Sequence, residues 1–349
     1  MIMTKKGKWL AAVALLVGFT LPTTALAAKD QGNQPGGFQV QAEIPKNQID
    51  KKVTTYYDLK VKPNESGTLY LNVQNQLDKT ATYKIALNPA FTSNAGAITY
   101  NNNSRKLDPS MPFNLRNYAT VSQQNLTLKA GQGKRIAVKY RMPNKPFNGI
   151  VLGGVTVTKN LTDADKKNNI RNQVSYSVAT EFQESTQPVK SALVLNSVKA
   201  SANNAEPTVE LNIQNPMSKI ESQLKLKTTI YKGDKKLLVN NSTRTMQIAP
   251  NTNMTYMVRN DNHRMEPGSY KAVIDATTKG GHWHWVRHFT VTQKQASQIN
   301  NNSYFPQKTP WYETIWFFLS IIALLLLIIV VLLYHRYRKN RSQGKHSRD

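Results

Sequence analysis

Between residues 38 and 292, apolar side chains fall on alternate positions. Leu69-Leu71-Val73, Tyr83-Ile85-Leu87, Ile136-Val138-Tyr140 and Val174-Tyr176-Val178 follow this pattern in the first half. Val209-Leu211-Ile213, Leu224-Leu226 and Tyr270-Ala272-Ile274 follow it in the second. Successive side chains of a strand point to opposite faces, so a period of two sets one face of each strand on a core and the other in water. Turn formers (Pro63-Asn64, the stretch Ala130-Gly131-Gln132-Gly133, and Pro267-Gly268) separate the runs at the spacing of a β-sandwich.

The strand pattern has an internal echo. "LNVQN" at 71–75 recurs as "LNIQN" at 211–215, each time as a strand running into a polar turn. The polar stretch 162–172 is the natural break between two modules, expected at 38–160 and 169–300. The strand over 173–183 can close the first module or open the second. Polar residues from Gln293 to Thr309, with Pro306 and Pro310, read as a stalk that leaves the second module at 301–310. The fold class expected is all-β: two tandem immunoglobulin-like or fibronectin-like β-sandwiches and one C-terminal transmembrane α-helix.

Two apolar runs depart from the alternation. Lys5, Lys6 and Lys8 precede the run from Trp9 to Thr20, and Ala25-Leu26-Ala27 supplies a small-x-small site. Residues 1–27 therefore read as a signal peptide cleaved between Ala27 and Ala28. Ile315 to Leu333 carries no charge and, at 1.5 Å per residue, spans about 30 Å, the thickness of a hydrocarbon core. Trp311, Tyr312 and Trp316 lie at one end of this span, and Tyr334 and Tyr337 at the other. Arg336, Arg338, Lys339, Arg341, Lys345 and Arg348 follow. The excess of positive charge places the span at 314–334, the tail 335–349 in the cytoplasm and everything before it outside a cell membrane crossed once.

The chain has no cysteine, which excludes disulfides and thiolate chemistry and points to a bacterium with one membrane. Net charge is +26. Removing residues 1–27, with three basic side chains, and 311–349, with six basic and two acidic, leaves 37 basic against 18 acidic side chains, or +19. Such a field attracts polyanions, and teichoic acid is the abundant one outside a Gram-positive membrane; plain solubility in an anionic matrix accounts for the charge equally well. No nucleic-acid-binding signature is present.

"GGHWHWVRHF" at 280–289 holds three histidines and two tryptophans. On a strand, His282, His284 and His288 share one face, with Trp283, Trp285 and Phe289 on the other. His284 and His288 are then about 13 Å apart, too far to share a metal. The aromatic face is expected in the core and the histidines in water, with no metal and no cofactor. Nucleophile elbow and phosphate loop are both absent; "GIVLGGV" at 149–155 lacks the lysine of the latter. Paired carboxylates of a wall-modifying hydrolase stay open as the alternative to a non-catalytic protein. Tyr56, Tyr57, Tyr100 and Tyr118 are candidate contacts to wall glycan, and the same residue type also fills cores.

Several stretches together resemble the WxL-interacting proteins of Gram-positive bacteria. "FQVQAEIPKNQ" (38–48), "YYDLKVKPNESGTLYLNVQN" (56–75), "NPAFTSNAGAITY" (88–100) and "MPNKPFNGIVLGGVTV" (142–157) are similar to the family's first domain. "YSVATEF" (176–182), "LNIQNP" (211–216), "EPGSYKAVI" (266–274) and "HWVRHFTVTQKQASQIN" (284–300) are similar to its second. The resemblance implies a first domain that binds peptidoglycan, a second that engages host surface proteins, and association with a WxL-domain surface protein. Phe147, Asn148, Gly149, Gly153, Gly154, Trp285 and Phe289 fall within these stretches and are expected to be structural, the glycines marking places where a strand kinks or packs closely. The chain holds no W-x-L tripeptide, and its "QVQAEIPKNQIDKK" region is unusually basic for the family.

Overall fold

Each alternating run forms a strand. The structure is a computed structural model that describes residues 36–343, apart from 102–104, 163–166, 168–172, 243, 261–262, 306–310 and 314. The expected signal segment with Ala27 and Ala28, and the last six residues of the tail, lie outside the described residues. The first sandwich contains β1 (Phe38–Glu43), β2 (Tyr57–Lys60), β3 (Ser66–Asn75), β4 (Ala81–Pro89), a small ribbon of β5 (Phe91–Thr92) and β6 (Ile98–Thr99), β7 (Ala119–Val121), β8 (Asn125–Leu128), β9 (Gly133–Arg141), β10 (Val151–Lys159) and β11 (Ser175–Gln183). Its sheets run β1-β3-β9-β7 and β2-β11-β10-β4-β8. The second sandwich contains β12 (Val194–Asn203), β13 (Glu206–Asn215), β14 (Glu221–Lys232), β15 (Lys235–Asn241), β16 (Met246–Ile248), β17 (Thr252–Arg259), β18 (Gly268–Thr278) and β19 (Gly281–Val291). Here β12-β13-β17 faces β15-β14-β18-β19, with β16 beside β14.

The inward residues are those the alternation marks. Leu69, Leu71 and Val73 from β3 meet Tyr83 and Ile85 from β4, Ile136 and Val138 from β9, and Phe182 from β11, all buried. Val209, Leu211, Ile213, Leu224, Leu226, Ala272 and Ile274 build the second core in the same way. In β10 both faces are covered, so "VLGGVTV" reads as a continuous apolar run. The strand over 173–183, open in the sequence, belongs to the first sandwich: β11 pairs antiparallel with β10 and parallel with β2. The sequence range 169–300 thus contains one strand of the first sandwich.

The echo is structural as well. Asn75 ends β3 and donates its amide to the carbonyls of Lys79, Leu128 and Lys129, while its Oδ1 accepts from Leu77 N–H and the Tyr83 hydroxyl. Asn215 ends β13 and donates to the carbonyls of Lys219, Ile248 and Ala249, accepting from Met217 N–H. Both side chains are fully buried. Each asparagine satisfies turn carbonyls that would otherwise be buried without a donor, and so closes the same corner in each sandwich.

The polar stretch after β19 departs from a plain stalk. Residues Gln293–Asn301 form helix α1, capped by Thr292 and Gln295 in a reciprocal capping box, with Ala296 and Ile299 buried on the second core. Two apolar residues are too few to reveal a helical stripe in the sequence. Helix α2 (Ile315–Gln343) follows; Ile315–Arg338 is long and apolar enough to cross a membrane, and none of that segment is buried inside the protein.

The sandwiches are locked together. The Thr92 and Thr252 hydroxyls share a hydrogen bond of 2.7 Å, and Ala249 N–H donates to Thr92 Oγ1 at 2.9 Å. Ile150 N–H reaches the Ser218 carbonyl, and Gln247 N–H the Gly96 carbonyl. The Asp108 carboxylate accepts from Gln214 and Asn253. Ala90, Leu152 and Ala249 form a small apolar plug beside these bonds.

Candidate functional site

With the inward positions of β3 and β9 in the core, their alternate residues form an outer face in water. Register aligns Thr68 of β3, Lys139 of β9 and Thr120 of β7 across three strands, and Ser66 with Arg141 in the next row. A groove of about 780 Å³ lies along these rows. Asn64 and Asn144 line one end of it on the adjacent loops before β3 and after β9, where Asn64 N–H donates to the Pro143 carbonyl, and Asn117 and Tyr118 come from the turn before β7. The floor includes Tyr140, whose ring fills the place a side chain at Gly67 would take: a Cβ there would meet the Tyr140 hydroxyl at 2.3 Å. Burial and an Asn47 amide donating at 3.1 Å hold Tyr140 in place, and burial raises its pKa.

Charge is arranged unevenly on this face. At the β1 side, the Arg135 guanidinium lies 3.4 Å from the Tyr70 ring centre and forks onto Glu43 at 2.7–2.9 Å, with Asn72 donating to the same carboxylate. Arg135 holds the Glu43 carboxyl below its usual range. At the groove, Lys139 and Arg141 are exposed and have no ion pair among the described residues. One end of the face is thus neutralised and the groove end is cationic, with amide, hydroxyl and aromatic groups interleaved.

The four tyrosines singled out in the sequence separate. Tyr118 lines the groove, its ring edge-on to Phe113 at 5.0 Å. Tyr57 is fully buried in the first core, its hydroxyl donating to the Tyr70 carbonyl at 2.6 Å, which leaves it unable to touch a ligand. Tyr56 and Tyr100 are half-buried on the outer side of the other sheet, where both face Glu181. Burial, with the Asp58 charge beside it, pushes the Glu181 carboxyl up to about 7. Tyr100 covers Gly154, where a Cβ would lie 2.5 Å from the ring. Gly153 sits under Leu115, and Gly149 adopts φ +77° against the Ser218 carbonyl of the second sandwich. Phe147 packs half-buried against Phe113, and Asn148 is exposed.

On β19, Trp283, Trp285 and Phe289 pack half-buried on the second core, and Phe289 stacks on Tyr270 at 5.2 Å. His282, His284 and His288 are exposed, and His284 Nδ1 lies 2.7 Å from Asp275 on β18. Among the described residues, no group of three or more His, Cys, Asp or Glu side chains is placed to hold a metal. The groove residues Asn64, Thr68, Lys139, Arg141 and Asn144 escaped the sequence reading. Their signal was the outward half of the alternation, which became a site only once β3, β7 and β9 were placed side by side.

Residues 38–159 match the family model "WxL Interacting Protein, peptidoglycan binding domain", and residues 165–301 match "WxL Interacting Protein, host binding domain". The chain belongs to the WxL-interacting protein family. In this WxL-interacting protein the host-binding match begins before β11, so the segment matching the second domain contributes a strand to the first sandwich. No curated protein matches the chain. Among solved structures, it is similar to the YadV chaperone (10% identity, 72% of this chain and 100% of that one, TM-score 0.29) and to the E. coli chaperone DraB (15%, 73% and 95%, 0.29). It is also similar to the CsuC–CsuE chaperone–tip adhesion subunit pre-assembly complex of Acinetobacter baumannii (11%, 66% and 93%, 0.32).

Proposed function

We propose that this WxL-interacting protein is a non-catalytic scaffold held at the cell surface by α2, with its N-terminal sandwiches outside and its basic tail in the cytoplasm. The first sandwich grips peptidoglycan in the groove lined by Asn64, Tyr118, Lys139 and Arg141, and the second carries a WxL-domain protein or a host surface protein. The observation behind this reading is the groove itself, which lies in the half matching a peptidoglycan-binding domain. Tyr118 offers a ring to a sugar face, the asparagine amides suit hydroxyl and N-acetyl groups, and Lys139 and Arg141 meet the carboxylates of wall peptides. Teichoic acid adds a charge-only attraction that salt screens, whereas groove contacts persist at high salt.

The test is co-sedimentation of the full chain, in detergent, with peptidoglycan stripped of teichoic acid. Binding is expected to persist at high salt and to fall in Y118A and in K139E/R141E. Release of soluble muropeptides would establish a hydrolase instead. Affinity capture from native membranes is expected to bring a WxL-domain protein along. Protease added to intact cells is expected to cut the sandwiches and spare the Arg336–Arg348 tail; the reverse pattern overturns the orientation.

A further inference from the structure

The second sandwich contains a cavity that none of the readings above uses. It measures about 260 Å³ and lies where the β14–β15 hairpin meets Asn260 and the residues from His263 to Glu266. Its floor is apolar: Val209, Ile230, Met265 and Tyr270 are buried members of the second core. Its mouth is cationic, with Lys232, Lys235 and Arg264 against the single carboxylate of Glu266, which is already paired with Lys232. At that volume it sits just below the usual range for a small-molecule site and suits one or two apolar side chains.

The adjoining strand is open. In its sheet β15 is terminal, so the far side of its backbone has no strand partner among the described residues. Its pairing with β14 slips between Ile230/Leu238 and Tyr231/Lys236, which leaves Leu237 as an extra residue. A bulge of this kind re-aims a side chain. Here it sets Leu237 and Leu238, consecutive residues that an unbroken strand would point to opposite faces, on the same cavity. Leu237 and Val239 stay 42% and 45% exposed. An open edge, a cavity for an apolar side chain beside it, and a rim of net positive charge meet in one place.

We infer that β15 and this cavity form a docking site for an extended acidic segment of a partner protein. The segment adds to β15 as a strand, seats an apolar side chain in the cavity, and sets its carboxylates against Lys235 and Arg264. This rests on the second sandwich being the partner-binding half, and it names the edge used and the chemistry of what binds there.

The probe is a fluorescein-labelled heptapeptide alternating glutamate and leucine, titrated against the full chain in nanodiscs of uncharged phosphatidylcholine. Binding is expected, with slowed amide exchange across β15. Affinity should drop roughly tenfold or more in K235E/R264E and in L237E, whose parent residues are exposed and whose folding is checked by thermal unfolding. K129E on the first sandwich should bind as the parent does. A lysine–leucine peptide, or the acidic peptide N-methylated at alternate residues, is expected not to bind. No binding, equal binding of acidic and basic peptides, indifference to both variants, or unchanged exchange in β15 each overturns the site. The partner-binding reading of this sandwich is lost only if the capture from native membranes also comes back empty.

Discussion

Glu181 gives the sharpest quantitative test of the structure. It projects from β11 opposite Asp58 of β2, half-buried, with Tyr56 and Tyr100 near enough to feel its charge. Burial first, and the Asp58 charge second, push its carboxyl from the ordinary 4.5 up to about 7. Below pH 4.5 the folded and unfolded chains both hold the proton, and Glu181 makes no difference between them. From 4.5 to 7 the folded chain keeps a proton that the unfolded chain has released, so stability falls as pH rises. Above 7 both forms are ionised and the folded chain bears the full penalty, about 3 kcal/mol. E181Q keeps the shape and removes the charge. It should raise the melting temperature by roughly 5–10 °C at pH 8, by about half of that near pH 6, and hardly at all at pH 4. Differential scanning calorimetry of the full chain in detergent at the three pH values measures this. An equal shift at pH 4 and pH 8, or none at pH 8, would refute the claim that a desolvated charge is the cause.

Three further outcomes follow from the packing. N75A and N215A each leave three turn carbonyls without their donor, and each should cost about 3 kcal/mol or more in urea unfolding; a loss below about 1 kcal/mol in either would contradict the corner role. T92V removes the acceptor of Ala249 N–H and the partner of the Thr252 hydroxyl. It should destabilise the junction by about 2 kcal/mol and speed proteolysis between the sandwiches, and an unchanged digestion pattern counts against a rigid junction. G154V drives a side chain into the Tyr100 ring. A stability loss of about 1–3 kcal/mol is expected, and wild-type thermal unfolding would mean that Tyr100 does not seal that strand.

Much of the architecture was legible because strand periodicity is local. Leu69-Leu71-Val73 and Val209-Leu211-Ile213 point inward wherever their strands are placed, and the uncharged run from Ile315 shows its length and flanks directly. The "LNVQN"/"LNIQN" echo also held meaning, since the final asparagine of each closes an equivalent corner. Other features escaped for stated reasons. Helix α1 buries only Ala296 and Ile299, so no stripe betrays it. Asp275 meets His284 across the tight β18–β19 hairpin, a pair that shows only once the turn at Lys279-Gly280 is placed between them.

Side-chain chemistry and a period of two mark which face of each strand turns to a core, wherever that strand is placed. Which outward residues act together is set by how the strands pair in the whole fold. Tyr57 opens strand β2 and is buried in the first core, whereas Tyr118 sits in the turn before β7 and is left beside Lys139 and Arg141. Likewise, the polar outer positions of β3, β7 and β9 lie as much as 75 residues apart in the chain, from Ser66 to Arg141, and become one groove through register alone. Hydrogen-bond pairing between distant strands is a property of the whole fold, and alternation within a strand carries no record of its partner.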